Sequence, residues 1–324
     1  MTCLTEKGID GGIMIRNYCG EDIARIIDLW NVALPEHKID ERLFIKNVLL
    51  DMNFDAEGFL VYEEKGEILG FAWVIVRGYP IDTGAQAEED RGYLNLFVLK
   101  NKEDILGGAG DLLLARAEKY VKDRAKSKIL VSGYTPNYFY PGQNVRCGEY
   151  LELYAKHGYT EQKRNYSIRA DLEKFVESEE LEELIEKRSE EGFVLTHLRA
   201  ELIPSLLSSL APGWRHRHRR LLNECNDPER FCLVVYGGEV IGSAIWGDTY
   251  SGIERFGPYG VNERYRGLGL GKILLYYTLK TMKKRGLKFA FSQSTPSSGA
   301  AAEIYKRLGF ERVDEFVVLA KELK

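Results

Sequence analysis

The stretch Arg266-Gly-Leu-Gly-Leu-Gly271 constrains the fold of this 324-residue chain more than any other. An apolar run ends at Val261 and Lys272-Ile-Leu-Leu275 follows the last glycine, an order that predicts strand, tight turn and helix. A turn that opens a helix leaves backbone N–H groups without intrahelical partners. With the helix dipole they stabilise an anion such as phosphate. Glycine suits such a turn because a Cβ would block close approach and some of the dihedrals needed. The sequence therefore asks for a ligand that carries a diphosphate.

Three phosphate-binding patterns compete for the stretch. The dinucleotide fingerprint is G-x-G-x-x-G, whereas the spacing here is G-x-G-x-G. A Walker A loop ends in Gly-Lys-Ser/Thr, but Ile273 follows Lys272. The third, the acyl-CoA loop R/Q-x-x-G-x-G/A, is filled completely by Arg266, Gly269 and Gly271. A glycine-rich turn that holds no ligand is the plain alternative.

Length and charge narrow the classes. A chain of 324 residues accommodates two domains. Hydrophobic content of 44% with 29% charged residues is that of an ordinary globular protein. A formal net charge of −4 argues against a general nucleic-acid or anionic-membrane binder. No apolar run reaches the roughly 20 residues of a transmembrane helix, and the first residues lack the apolar core of a signal peptide. Cys3, Cys19, Cys147, Cys225 and Cys232 are scattered and form no CxxC pair. They predict neither a disulfide framework nor a metal site, and a reducing, cytoplasmic setting.

The two halves follow one plan. After Arg266–Gly271 come a long helix, a strand over 288–294 and Ile304-Tyr305-Lys-Arg-Leu-Gly309-Phe310. After a strand over 93–100, the first half has Ile105-Leu-Gly-Gly108-Ala-Gly110, a long helix, a strand over 128–133 and Leu153-Tyr154-Ala-Lys-His-Gly158-Tyr159. Both end in Tyr-x-x-x-Gly-aromatic, which indicates a tandem duplication. Each half also opens with a strand, two helical stretches and a hairpin. Residues 171–191 are rich in Glu and predict an acidic connecting segment with a short helix. The predicted division is 13–170, then 171–191, then 192–324.

One strand carries an anomaly. The strand over 253–261 belongs in the sheet interior, yet it contains Gly257-Pro258. Proline cannot donate to a ladder, so the strand should bulge or leave its neighbour. A strand that diverges just before an anion-binding turn opens a slot for a linear pantetheine arm.

These residues resemble the GNAT superfamily of acyl-CoA-dependent acyltransferases. The resemblance is carried by Val261-Asn-Glu-Arg-Tyr-Arg266-Gly-Leu-Gly269-Leu-Gly271-Lys and Ala301-Ala-Glu-Ile-Tyr305-Lys-Arg-Leu-Gly309-Phe. It covers residues 192–324, and residues 13–165 resemble a second, degenerate GNAT domain. The whole is similar to two-domain bacterial GNAT proteins, in which Asn137-Tyr-Phe-Tyr-Pro141-Gly142 is a familiar kind of loop. The resemblance implies an α/β (α+β) fold, each domain a splayed, largely antiparallel central sheet flanked by helices. It implies acetyl-CoA as donor and no metal. Backbone groups of Tyr259–Val261 would bond the pantetheine and polarise the thioester. Amides of Arg266, Gly267, Leu268, Gly269, Leu270 and Gly271, with Lys272, would hold the diphosphate, and Tyr305 would lie near the sulfur.

Three positions depart from the family. Ser298 stands where many GNATs have Asn, and serine can still cap a helix. In the first half Ile105 replaces the loop Arg, and Asp111 stands where the second half has Lys272. A carboxylate there repels a diphosphate, so the first half is expected to shape the structure or the acceptor site.

The implied reaction is direct attack of an amine of a small molecule or peptide on the thioester, with no acyl-enzyme. Tyr305 is the candidate acid and Glu254 the candidate base, each weighed against plain packing or surface roles. The basic run Arg215-His-Arg-His-Arg-Arg220 reads first as a solvated helix face. The alternative function is a non-catalytic acyl-CoA-binding sensor or assembly module. The acceptor, acyl length and oligomeric state stay open.

Overall fold

The computed structural model describes residues 13–82, 90–134, 139–225, 227–248, 252–295 and 298–324. Cys3 and the start of the loop at Asn137 lie outside them. The described chain forms two compact units. The first takes residues up to Pro80, Gln86–Asn165 and, from the far end of the chain, Glu315–Lys324. The second takes Tyr166–Asp314 with the short piece 81–85.

In the first unit β1 (Ile13–Asn17) leads into α1 (Ile23–Ala33) and α2 (Glu41–Phe44). The hairpin β2 (Phe59–Glu64) and β3 (Glu67–Val76) precedes β4 (Arg91–Leu99). Then come α3 (Lys102–Leu106), α4 (Ala109–Asp123), β5 (Lys128–Val131), β6 (Gln143–Asn144) and α5 (Gly148–Lys156). The sheet order is β1-β2-β3-β4-β5, antiparallel except for the parallel pair β4–β5. Leu113, Leu114, Ala117 and Val121 of α4 are buried against it with Leu153 and Tyr154 of α5. Positions 113, 114, 117 and 121 make the apolar stripe of a 3.6-residue period, which is why this segment is helical.

The second unit opens within β7 (Thr160–Asp171) and continues with α6 (Glu179–Glu190), β8 (Phe193–His197), α7 (Ile203–Ser209) and α8 (Pro212–Glu224). Then follow β9 (Phe231–Tyr236), β10 (Glu239–Asp248), β11 (Gly252–Val261), α9 (Leu270–Lys284), β12 (Phe289–Thr295), α10 (Ala300–Arg307) and β13 (Phe310–Glu322). The order is β8-β9-β10-β11-β12-β7, antiparallel except for β11–β12. One face buries Leu270, Ile273, Leu274 and Met282 of α9. The other buries Leu206 of α7 and Leu221 of α8 against Phe231, Leu233 and Ile245. Full burial of each leucine is worth about 2 kcal/mol. Helix α9 stops at a basic last turn, Lys283 and Lys284, before Gly286 at φ +79°. That cationic end suits the dipole, and glycine alone takes that φ without strain.

The units do not divide where the sequence suggested. From Glu315, β13 runs beside β5, pairing Leu319 with Val131 and Lys321 with Ile129. From Tyr166, β7 pairs with β12 instead, Ala170 against Ala290. Each sheet is thus completed by a strand from the tail of the other sequence half. Sequence periodicity assigns strands but not their partners. The acidic segment 171–191 also differs from a solvated connection, because α6 belongs to the second unit and buries Leu181 in its core. Its apolar stripe is narrow enough to be hidden by the surrounding glutamates.

Among the described residues no helix is long and apolar enough to cross a membrane. Cys147, Cys225 and Cys232 carry free thiols, while Cys19 is disulfide-bonded, a pairing that the scattered spacing did not suggest.

Candidate active site

Strand β11 is regular on neither edge. Against β10 it uses three residues to span two between the pairs Ala244–Tyr259 and Trp246–Phe256, and four to span two down to Asp248–Gly252. Against β12 it has a single partner pair among the described residues, Arg255 with Phe291. Beyond that pair comes the cis Gly257-Pro258 bond. The strand therefore bulges and leaves its parallel neighbour where the proline predicted. From Phe256 to Val261 the strand makes no ladder pair with β12 among the described residues.

The loop that follows ends at the predicted helix start. Gly269 is the N-cap of α9 at φ +76°, and Gly267 has φ +83°. The first helical N–H that bonds back is that of Ile273, to Gly269 O at 3.2 Å. The amides from Gly269 to Lys272 are then the orphan donors of a helix start. A Cβ on Gly271 would lie 3.0 Å from the Tyr259 hydroxyl, which donates to Gly271 O at 2.8 Å. A side chain at 271 would make the Tyr259 hydroxyl give way, and the left-handed backbone at 269 favours glycine.

Two expected donors are otherwise engaged. The Arg266 N–H bonds Glu263 O at 3.1 Å, and its guanidinium pairs with Glu263 on the surface. Lys272 Nζ donates to Glu180 Oε1 at 2.6 Å. Leu270 is buried in the core, so its backbone alone faces the loop. Val261 and Leu268 are partly buried against the same core.

Tyr305, on α10, sits in an aromatic cluster. Its ring centroid is 6.0 Å from Tyr259, 5.9 Å from Phe256 and 5.4 Å from Phe310. Among the described residues its hydroxyl has no hydrogen-bond partner. Burial pushes its pKa up to about 12. The phenol therefore stays protonated near neutral pH and can donate a hydrogen bond. Glu254 is half-buried on β11 within the wider bulge and makes no hydrogen bond or ion pair among the described residues. A bulge re-aims side chains, so the alternation of a regular strand does not fix its direction. No hydrogen bond joins Glu254 to Tyr305 among the described residues.

The basic run on α8 departs from a solvated face. His218 is fully buried, its Nδ1 2.8 Å from Trp214 O and its Nε2 3.3 Å from Ser243 Oγ. Burial pushes its pKa down to about 4. Arg219 pairs with Asp82 at 2.7 Å. Trp214, 41% exposed, stands over β11, where a Cβ on Gly260 would meet its ring at 3.0 Å. Sequence reasoning missed Trp214, although a glycine inside a strand is the signal of such an approach. A cavity of about 710 Å³ reaches Lys272, with Arg169 and Arg307 balanced by Asp171, Glu180 and Glu311.

The helix start with free amides thus lies beside a parallel pair that parts early. Residues 197–310 match the family described as Acetyltransferase (GNAT) family. No curated protein matches the sequence. The fold is similar to a GCN5-related glucosamine N-acetyltransferase region of a fungal multi-domain GH3 β-N-acetylglucosaminidase (15% identity, TM-score 0.78). That match covers 97% of this chain, which spans 38% of the fungal one. It is similar to a GCN5-related N-acetyltransferase from Sphaerobacter thermophilus, at 17% identity and TM-score 0.69 over 97% of both chains. It is also similar to a tandem GNAT protein of the clavulanic acid biosynthesis pathway, at 13% identity and TM-score 0.64, covering 96% of this chain and 98% of that one. These likenesses concern the fold. Residues 197–310 thus match the GNAT acetyltransferase family, and the chain as a whole shares the fold of these structures.

Proposed function

We propose that the second half transfers an acetyl group from acetyl-CoA to an amine of a small molecule or peptide by direct attack. The observation that carries this reading is the conjunction of orphan amides at Gly269–Lys272 with the unpaired edge of β11. The first suits a diphosphate and the second a pantetheine arm. Acetyl-CoA would supply an activated thioester.

The chain's own groups account for the rest. Backbone groups of Tyr259 and Val261 orient the arm along β11. An amine of pKa near 10.4 is only about 0.04% neutral at pH 7, so proton removal limits attack unless a base assists. Glu254 is the carboxylate carried by the bulged strand and is assigned that role. Tyr305 serves the departing sulfur. Its hydroxyl titrates at about 12 and a thiol at about 8.5, so complete proton transfer is uphill by roughly 5 kcal/mol. Tyr305 therefore acts as a hydrogen-bond donor to the thiolate, and the proton comes finally from solvent.

The glucosamine acetyl transfer named for the fungal relative makes amino sugars a natural part of an acceptor panel. Release of free coenzyme A thiol from acetyl-CoA should be measured across amino sugars, polyamines and short peptides. Turnover with at least one amine supports the reading. Tight coenzyme binding without turnover on any amine replaces it with a non-catalytic acyl-CoA sensor.

A further inference from the structure

Helix α6 places three side chains on the anion loop. Glu180, Leu184 and Arg188 recur every four residues and so share one helix face. Arg188 Nε donates to Leu268 O at 2.7 Å. Leu184 Cδ2 lies 3.0 Å from where a Cβ on Gly269 would stand. Glu180 takes the Lys272 ammonium. All three residues precede the segment 197–310 that matches the family.

We propose that α6 sets the coenzyme affinity of the loop, with Arg188 as a positioning residue and Glu180 as an internal competitor of the diphosphate; this rests on the coenzyme reading above. The peptide 268–269 joins Leu268 to Gly269, whose φ is positive, and follows Gly267, also at positive φ. Glycine tolerates both hands of backbone, so this peptide is free to rotate unless something holds it. In a trans peptide the carbonyl and the N–H point in opposite directions. By drawing Leu268 C=O toward α6, Arg188 turns the Gly269 N–H away from α6 and keeps it among the free donors. The Arg188 side chain is 14% exposed and is itself anchored by Glu191. Leu184 sets the distance between helix and loop.

Glu180 works in the opposite sense. Its side chain is 77% exposed while that of Lys272 is 19% exposed. In the free protein it neutralises the cation nearest the helix start. A bound diphosphate must draw Lys272 away or tolerate a carboxylate beside it. Two residues on one helix face thus push affinity in opposite directions.

Calorimetric titration of coenzyme A into the full chain and three variants tests this. Arg188→Ala should weaken binding about tenfold, the scale of a hydrogen bond from a charged donor. Arg188→Lys, which keeps the charge and one donor, should recover most of that loss. Glu180→Gln should tighten binding two- to fivefold, and the gain should vanish near 1 M salt, as for an exposed pair. A general loss of structure cannot strengthen binding, so opposite shifts exclude a merely structural role. If Arg188→Ala does not fold, Arg188→Lys and Glu180→Gln still decide. Wild-type affinity in Arg188→Ala, or unchanged or weakened binding in Glu180→Gln, overturns the proposal while the wild-type titration still supports the coenzyme site. A wild-type chain that ignores millimolar coenzyme A instead overturns the coenzyme reading itself.

Discussion

The two halves start the same helix in the same way and then diverge. Helices α4 and α9 are each 15 residues long, and each is capped by a glycine in the left-handed region, Gly108 at φ +100° and Gly269 at φ +76°. Behind the cap everything differs. In the first half β4 and β5 hold four parallel pairs, from Arg91–Lys128 to Leu94–Val131, against one pair in the second. The freed edge of β4 is also occupied. The Leu99 N–H donates to the Tyr150 hydroxyl at 3.0 Å, whereas Ala301 holds the matching position before Tyr305. Ile105 is buried in the core. Asp111 is fixed by Lys156 at 2.6 Å and His157 at 2.7 Å. Tyr154, the counterpart of Tyr305, is buried against Phe97 and Tyr159. On the proposed reading a helix start alone does not make a coenzyme site, and the adjoining strand edge must also be left unfilled.

The sharpest way to break this comparison is to count. Coenzyme A should bind with one site per chain, and Gly271→Val should weaken it at least a hundredfold. The added carbons collide with the Tyr259 hydroxyl, which a Cβ alone would meet at 3.0 Å, and crowd the loop. Two sites per chain in a titration would put a working loop in the first half and refute the distinction. Next in size is the pair of tyrosines. Tyr305→Phe should cut turnover by roughly ten- to a hundredfold, at or below the low end of what full proton transfer gives, because its hydroxyl only donates a hydrogen bond. Tyr154→Phe should leave turnover alone. Among the described residues the Tyr154 hydroxyl is buried without a partner, so its removal should raise stability by about 1 kcal/mol, seen as a higher melting temperature. Equal kinetic losses in both variants would mean that Tyr305 is merely another packed ring.

How much of this was legible in the chain depends on the range of the interaction. The glycine loop, the diverging strand and the paired Tyr-x-x-x-Gly-aromatic motifs are local. Proline chemistry and helix-start chemistry are written in consecutive residues, and they placed Tyr259, Gly269, Gly271 and Tyr305 in one neighbourhood. Pairings between distant segments were not written locally. Nothing near Glu315 says that β13 lies beside β5, because the same alternation of side chains serves either partner. Helix α6 was misjudged since its charged surface outweighs its docking stripe. The spacing of Glu180, Leu184 and Arg188 was the available signal. His218 was hidden for the opposite reason, as the one buried member of a basic run.

That histidine sharpens the comparison through acid stability, at an intermediate magnitude. Its folded pKa of about 4 lies below the unfolded value near 6.5. As pH falls through 6.5 the unfolded chain gains a proton that the folded second unit cannot take, so stability is full above that pH and declines toward pH 4. From pH 7 to pH 5 the loss should be about 2 kcal/mol, or roughly 4–8 °C for a unit of this size. The first unit has no comparable buried histidine among its described residues. Its pair at Asp111 behaves differently, because hydrogen bonds from Lys156 and then His157 hold that carboxyl below its usual range. That contribution is present above about pH 4 and is lost only in stronger acid. Thermal melts should therefore separate into two transitions at pH 5, the second unit melting first, and converge again at pH 7. Coenzyme A should move the lower transition alone. Asp111→Asn should have the smallest effect, under about 1 kcal/mol on the upper transition, since its partners are partly solvated. An acid shift confined to the first unit would show that His218 is not the group that titrates.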